Sequence, residues 1–254
     1  MKIFVLPFAA CASILFSLLT GYAESMNNNP TAGRVERYEY EAFRPGRRQS
    51  GEKESIVMEL EHSDEGISHT SVIKRNGRRE VINILARADG HFFSGERKLF
   101  DGAGRLERED SISRDNGRVH IKHLSDGSGR AREHTLRGDR PLAVDASLLI
   151  LLRSFPFDNP GKQEVFMVDF SGRSVFAFVN LAGAERIEVP AGEFKCYRMD
   201  VTVNLLIARL RVTFWIAEEK PHFMVKHSGR RGPFTPVYET FLVSKELPGE
   251  SAGK

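Results

Sequence analysis

Cysteine is nearly absent from this 254-residue chain: there are two, Cys11 and Cys196, and the first lies in an N-terminal apolar stretch. Once the N-terminus is cut away as argued below, Cys196 stands alone, and a disulfide framework within the chain is excluded. Cys196 reads as a packed strand thiol, because a reactive one needs a neighbouring His or acid to activate it. Beyond the N-terminus no apolar run approaches the roughly 18 residues of a bilayer span. The longest, Ala146 to Leu152, has seven. The motifs that carry common chemistries are missing too. There is no Gly-x-Ser-x-Gly elbow, no Gly-Lys-Ser/Thr phosphate loop and no His-Glu-x-x-His,. The acidic pairs Glu109-Asp110 and Glu218-Glu219 are adjacent and point apart on a strand, which suits no paired-carboxylate site. Charge of one sign is also lacking: 37 Lys and Arg face 34 Asp and Glu, a net +3, with the signs interleaved. That balance argues against nucleic acid as a partner.

What is present begins with a secretory signature. Met1 and Lys2 precede an apolar stretch from Ile3 to Leu19, and Thr20-Gly21-Tyr22-Ala23 ends it with small residues at the third and first positions before a cut,. Residues 1–23 are therefore expected to be a signal peptide cleaved after Ala23, and the mature protein to be exported. No basic cluster follows to stop transfer, so membrane contact is expected only through the cleaved segment or peripherally. Residues 24–33 read as a flexible leader, 34–246 as a single β-rich domain and 247–254 as a polar tail.

Inside the domain, turn dipeptides set the pattern. Asn76-Gly77, Asp89-Gly90, Asp101-Gly102, Asn116-Gly117 and Asp126-Gly127 start at steps of 13, 12, 15 and 10 residues. They supply the positive-φ positions of tight hairpins. Short β-forming stretches lie between them, many of them charged, so the first half reads as an antiparallel meander with one wet face. Asp145 is placed to cap a short helix over the leucines at 148, 149, 151 and 152, although a buried strand has the same local composition. The second half is richer in apolar residues. Strands are expected over 164–170, 174–181, 187–189, 197–205, 211–216, 223–225 and 238–243. In one of them Tyr197, Met199, Val201, Val203 and Leu205 share a side. The expected fold class is mainly β: a strongly curved antiparallel sheet, or an open barrel-like meander, with one short covering helix.

The stretch Ile187-Glu188-Val189-Pro190-Ala191-Gly192-Glu193-Phe194-Lys195-Cys196-Tyr197-Arg198 resembles the hallmark of an uncharacterised bacterial envelope family, domain-of-unknown-function family 3108. Leu151 to Phe157 resembles that family's helix-to-strand junction. Thr213-Phe214-Trp215-Ile216-Ala217, with the acidic turn and Pro221 that follow, resembles its later strand. The resemblance implies a periplasmic protein with a curved antiparallel sheet, related in architecture to lipoprotein carriers, and it brings no catalytic residues. In physical terms Pro190 ends a ladder and Gly192 makes the turn, while Phe194 and Tyr197 are expected to anchor opposite faces of the returning strand.

No catalytic, cofactor or metal residues are assigned. His62, His69, His91, His120, His123, His134, His222 and His227 are scattered, and only a metal site assembled from distant strands remains as an alternative. The clusters Arg44/Arg47/Arg48 and Lys74/Arg75/Arg78/Arg79 are diluted by Glu41, Glu52 and Glu80. They read as solvated surface, with contact to anionic head groups as the alternative. Binding is what the composition permits. The candidate lining of an apolar site is Leu148, Leu149, Leu152, Phe166, Phe176, Phe178, Met199, Val201, Phe214 and Trp215, each of which equally suits a filled core. The expected function is non-catalytic binding of a lipid, lipoprotein or other apolar envelope component. A structural or protein-interaction module of the envelope and an enzyme acting on envelope or polysaccharide material are the alternatives. An apolar cavity favours the first, a filled core with an exposed apolar patch the second, and a cleft gathering distant His, Asp or Glu the third.

Overall fold

The computed structural model describes residues 33–45, 53–125, 128–135, 141–144, 147–204, 209–230 and 235–249. The expected signal peptide, the expected leader up to residue 32, Arg47 and Arg48, the end of the expected tail, Asp126-Gly127, the expected cap Asp145 and Leu205 lie outside them.

Eight strands form the first arm: β1 (Val35–Phe43), β2 (Glu54–Ser63), β3 (Gly66–Arg75), β4 (Arg78–Ala86), β5 (Phe92–Phe100), β6 (Leu106–Asp115), β7 (Arg118–Ser125) and β8 (Ser128–Thr135). The chain then makes β9 (Leu142–Val144) and a helix, α1 (Ser147–Arg153). The second arm continues with β10 (Gln163–Val168), β11 (Ser174–Val189), β12 (Gly192–Asn204), β13 (Arg209–Ala217), β14 (Met224–Arg230) and β15 (Val237–Glu246). All fifteen strands join one sheet in the order β8 to β1, then β15 down to β9. The chain thus starts at the middle of the sheet, walks outward to one edge, and re-enters at the other edge to walk back until β15 pairs with β1.

That circuit forces curvature. Laid flat, fifteen strands would span roughly 65–70 Å at about 4.8 Å each. The chain passes from Thr135 to Leu142 in seven steps, which reach no more than about 25 Å fully extended. The two edges are therefore drawn toward each other. The sheet is a single, strongly curved one that does not close into a barrel. Edge strand β9 lies against β5, and Arg97 of β5 stacks its guanidinium 5.0 Å from the ring of Phe170, just after β10. Bulges at Phe93 of β5, Glu107 of β6, Ala182 of β11, Val225 of β14 and Val243 of β15 supply the local bends,.

Local chemistry explains the hairpins. Asn76 (φ 49°) and Gly77 (φ 75°) both take the left-handed conformation that a two-residue turn matched to strand twist demands,. Two further loops are built alike. The Asp101 carboxylate accepts the Ala103 and Arg105 N–H groups and is clamped by the Arg105 side chain at 2.8 Å. Asp169 does the same for Ser171, Arg173 and the Arg173 side chain at 2.7 Å. Every pairing is antiparallel except β9 with β10, and the connection between those two carries α1,.

Residues 147–153 are a helix rather than the alternative strand. Ser147 opens it, its hydroxyl accepting the Val144 N–H at 2.6 Å, and Ser147, Leu148, Ile150, Leu151 and Leu152 are all buried. It is apolar nearly all round because it is enclosed by the sheet. Gly90, at φ 82°, allows the close approach: a Cβ there would lie 3.1 Å from the Leu151 Cα,. β11 is longer than expected, running through a bulge at Ala182 to join the two strands expected over 174–181 and 187–189.

Candidate binding cavity

Pairing register defines the inner wall of each arm. On the first arm one row runs Tyr40, Ile56, Ile73, Glu80 and the next Met58, Ser71, Ile82, Arg97, Asp110. On the second arm Val201 faces Val212 across the β12–β13 ladder, and Phe214 pairs with His227 and Met199. Between the two walls, with Leu148 and Leu149 of α1 at one side, lies a cavity of about 470 Å³. Its lining is mostly aliphatic, with Ser71, Glu80, Arg97, His227, Arg230 and Thr240 as the polar points.

Of the ten candidate lining residues, Leu148, Leu149, Val201 and Phe214 come together around this cavity. Leu152 and Met199 are buried core (1% and 0% exposed) and do not line it. Phe166, Phe176, Phe178 and Trp215 do not line it either, because strand alternation turns them to the other side of the sheet from Val165, Ala177, Val179 and Phe214,. There Phe166 packs on Phe176 with centroids 5.1 Å apart. Lys162 sits 3.9 Å over the Phe178 ring. Trp215 donates to Glu185 at 2.8 Å and carries Lys226 over its ring.

Two charged clusters are buried in the first arm. Asp110 is fully buried and accepts from Arg97 Nη2 (2.6 Å), Arg97 Nε (3.0 Å) and Arg108 Nε (2.8 Å), with His123 Nδ1 at 2.7 Å. Burial pushes its carboxyl up, but the His123, Arg97 and Arg108 hydrogen bonds outweigh this and hold it below the ordinary aspartate value,. Glu36 forms the second cluster. It accepts from Tyr38 (2.6 Å) and from Arg153 at the end of α1 (2.8 and 3.0 Å), and lies 2.8 Å from His62 Nε2. Burial again acts upward and is outweighed, here by the His62 hydrogen bond and the Arg153 charge, so this carboxyl too is held low. Arg153 also donates to the Pro221 carbonyl at 2.9 Å, which ties the helix to the loop before β14. Among the described residues no group of three His, Cys, Asp or Glu stands as metal ligands would.

His69 lies on the first arm between Leu60 and Ile84, fully buried. Its Nε2 is 2.5 Å from the Ser71 hydroxyl, and its Nδ1 is the buried side-chain polar atom left without a partner among the described residues. Burial, assisted by the Arg153 charge, holds the imidazole down to about 3.

The Val-Pro-Ala-Gly hairpin is structural. Ala191 N–H donates to the Leu242 carbonyl at 3.2 Å, Phe194 meets Phe223 edge-on at 5.5 Å, and Tyr197 stacks on Phe157 at 4.2 Å. Cys196 is buried, its thiol pushed up to about 12 by burial and then by Glu218 and Glu185, which is the opposite of an activated thiolate,.

Sequence reasoning missed the charged clusters and the His69–Ser71 pair. A signal existed: Glu36 alternates in register with Tyr38 and Tyr40, and Asp110 with Ile112, which places each carboxylate on the buried face,.

No protein-family model matches the chain, so the likeness to family 3108 rests on the residues that carry it. No curated protein matches it in sequence. Solved structures similar to it include a Bacteroides fragilis protein described as exported, with a YmcC-like fold (TM-score 0.35, 10% identity, 85% of this chain and 96% of that one). A Parabacteroides distasonis chain described as a lipoprotein aligns with TM-score 0.32 and 10% identity over 85% and 96% of the two chains. The hypothetical lipoprotein YmcC of Escherichia coli K12 aligns with TM-score 0.32 and 10% identity over 91% and 97%.

Proposed function

We propose that the protein is an exported, periplasmic, non-catalytic binder of an apolar envelope component, a lipid or the acyl portion of a lipoprotein. The observation that carries this reading is the cavity itself. Its volume of about 470 Å³ falls in the roughly 300–1,000 Å³ range of small-molecule sites. It is walled by apolar side chains from both arms, Ile56, Met58, Ile73 and Ile82 on one and Val201, Val203, Val212 and Phe214 on the other. The space is a half-open cleft with an apolar wall on each side, the form in which small-molecule sites are built, and it fits an apolar occupant,. The signal-like N-terminus supports the compartment.

Native mass spectrometry of the mature protein recovered gently from the periplasm, followed by organic extraction, tests it. The expected result is a stoichiometric apolar passenger. Bare protein that takes up nothing after incubation with envelope lipids would overturn the reading and move attention to protein partners.

A further inference from the structure

The cavity wall carries one polar device that a purely apolar container has no use for. Ser71 is 4% exposed and lines the cavity, while His69 beside it is wholly enclosed. A single hydrogen bond joins them, and its direction can be argued. If Ser71 donated to Nε2, the neutral ring would carry its proton on Nδ1, and a buried N–H would be left with no acceptor. Orphaned buried N–H groups are rarer and costlier than under-used acceptors. The favoured tautomer therefore keeps the proton on Nε2 and gives it to Ser71, leaving Nδ1 as the unpartnered lone pair. A ring that stays neutral throughout the physiological range is consistent with this. The consequence is that the Ser71 oxygen is already an acceptor, and its own proton is available to the cavity.

A second donor stands on the same row of the sheet. Arg97 commits Nε and Nη2 to Asp110, whereas its Nη1 makes only a 3.9 Å ion contact with Glu80. Ile82, between Ser71 and Arg97 in register, keeps the wall apolar between the two donors.

From this arrangement we infer that the cavity selects long-chain acyl compounds, whose polar end is a carbonyl-bearing acceptor, with Ser71 donating to the carbonyl oxygen and Arg97 as the second donor. The inference rests on the carrier reading and narrows it to one ligand chemistry. The carbonyl belongs equally to a free fatty acid and to an acyl ester. A chain ending in a donor-only group, such as an alkylammonium, is disfavoured because at this row it would meet two donors and leave both unsatisfied.

The test is a binding panel on the wild-type mature protein: palmitic acid, methyl palmitate and hexadecylamine, each delivered from cyclodextrin. The acid, the ester or both are expected to bind about 10-fold more tightly than the amine, the worth of one or two net hydrogen bonds. Preference for the acid over the ester points to free fatty acid, and parity to acyl groups in general. Ser71→Ala is expected to shrink the acyl-to-amine ratio about 5-fold, and because a ratio is read, a general loss of affinity does not imitate it. Equal binding of all three probes, or tighter binding of the amine through Glu80, overturns this inference and leaves the carrier reading standing. Failure of every probe to bind overturns both. The wild-type panel decides whether or not the variant folds.

Discussion

The two arms of the sheet solve the same problem with different materials. The second arm buries Val165, Ala177, Val179, Met199, Val201 and Ile216, an apolar surface on β10 to β13, and its polar points on the cavity, His227, Arg230 and Thr240, stand on β14 and β15. The first arm buries hydrophobic residues too, among them Ile82, Ile84, Ile112 and Ile121, but threads Glu36, His69, Ser71, Arg97 and Asp110 among them. Each of those charges has to be met by another strand or by the helix. An apolar arm gives volume and grip; a charged one gives register and direction. The contrast suggests that the second arm supplies the greasy wall and the first supplies orientation, and it can be broken or sharpened in several ways.

The largest effect is expected at Asp110. Asp110→Ala leaves Arg97 and Arg108 without their shared carboxylate, and loss of one partner from a buried pair costs about 3–5 kcal/mol. Urea unfolding at neutral pH measures it. The pH dependence has a definite sign: the folded pKa is depressed, so this stabilisation is present above the ordinary aspartate value near about 4 and is lost as pH falls below it. A loss under about 1 kcal/mol would mean that the first arm does not depend on its charges as described.

Next comes His69, whose folded value is also lowered, to about 3. Unfolded, it takes up a proton near about pH 6.5, so stability is full above that value and falls by about 1.4 kcal/mol per unit as pH drops toward about 3. Between about pH 7 and about pH 5 the wild type is expected to lose on the order of 2 kcal/mol that His69→Phe does not lose. Matching slopes in the two proteins would contradict the neutral, enclosed imidazole. On the second arm Ile216, fully buried, is a packing residue alone, and Ile216→Val is expected to cost about 0.5–1.5 kcal/mol with no pH dependence. A pH-dependent cost there would blur the distinction between the arms. Smallest is Arg173→Ala in the exposed Asp169 loop, at most about 1 kcal/mol in low salt and less in high salt. It should leave binding untouched.

How much of this was legible in the sequence follows the range of the interactions. Hairpins announce themselves within four residues, so Asn76-Gly77 and Asn116-Gly117 stood out, and the left-handed φ values of Asn76 and Asn116 are the physical reason. The five-residue Asp101 and Asp169 loops were legible as turns but not as clamps, because the Arg at the fifth position also reads as a solvated charge. The closure of β1 on β15 joins residues some two hundred positions apart, and the parallel pairing of β9 with β10 is set across a helix. Nothing local encodes either. Phe166, Phe176, Phe178 and Trp215 have the apolar character of cavity lining, yet parity sends them to the other side of the sheet,. Glu36 and Asp110 were readable by that same parity, whereas their partners depend on cross-strand register.

The central claim is that the space between the arms holds an apolar ligand, and methionine reports on it directly. Met58 of the first arm and Met167 and Met224 of the second line the cavity, while Met199 is buried outside its lining. Methyl-labelled methionine NMR during titration with palmitate is predicted to shift Met58, Met167 and Met224 together and to saturate, with Met199 moving least. An unchanged spectrum, or shifts confined to one arm, would contradict the account.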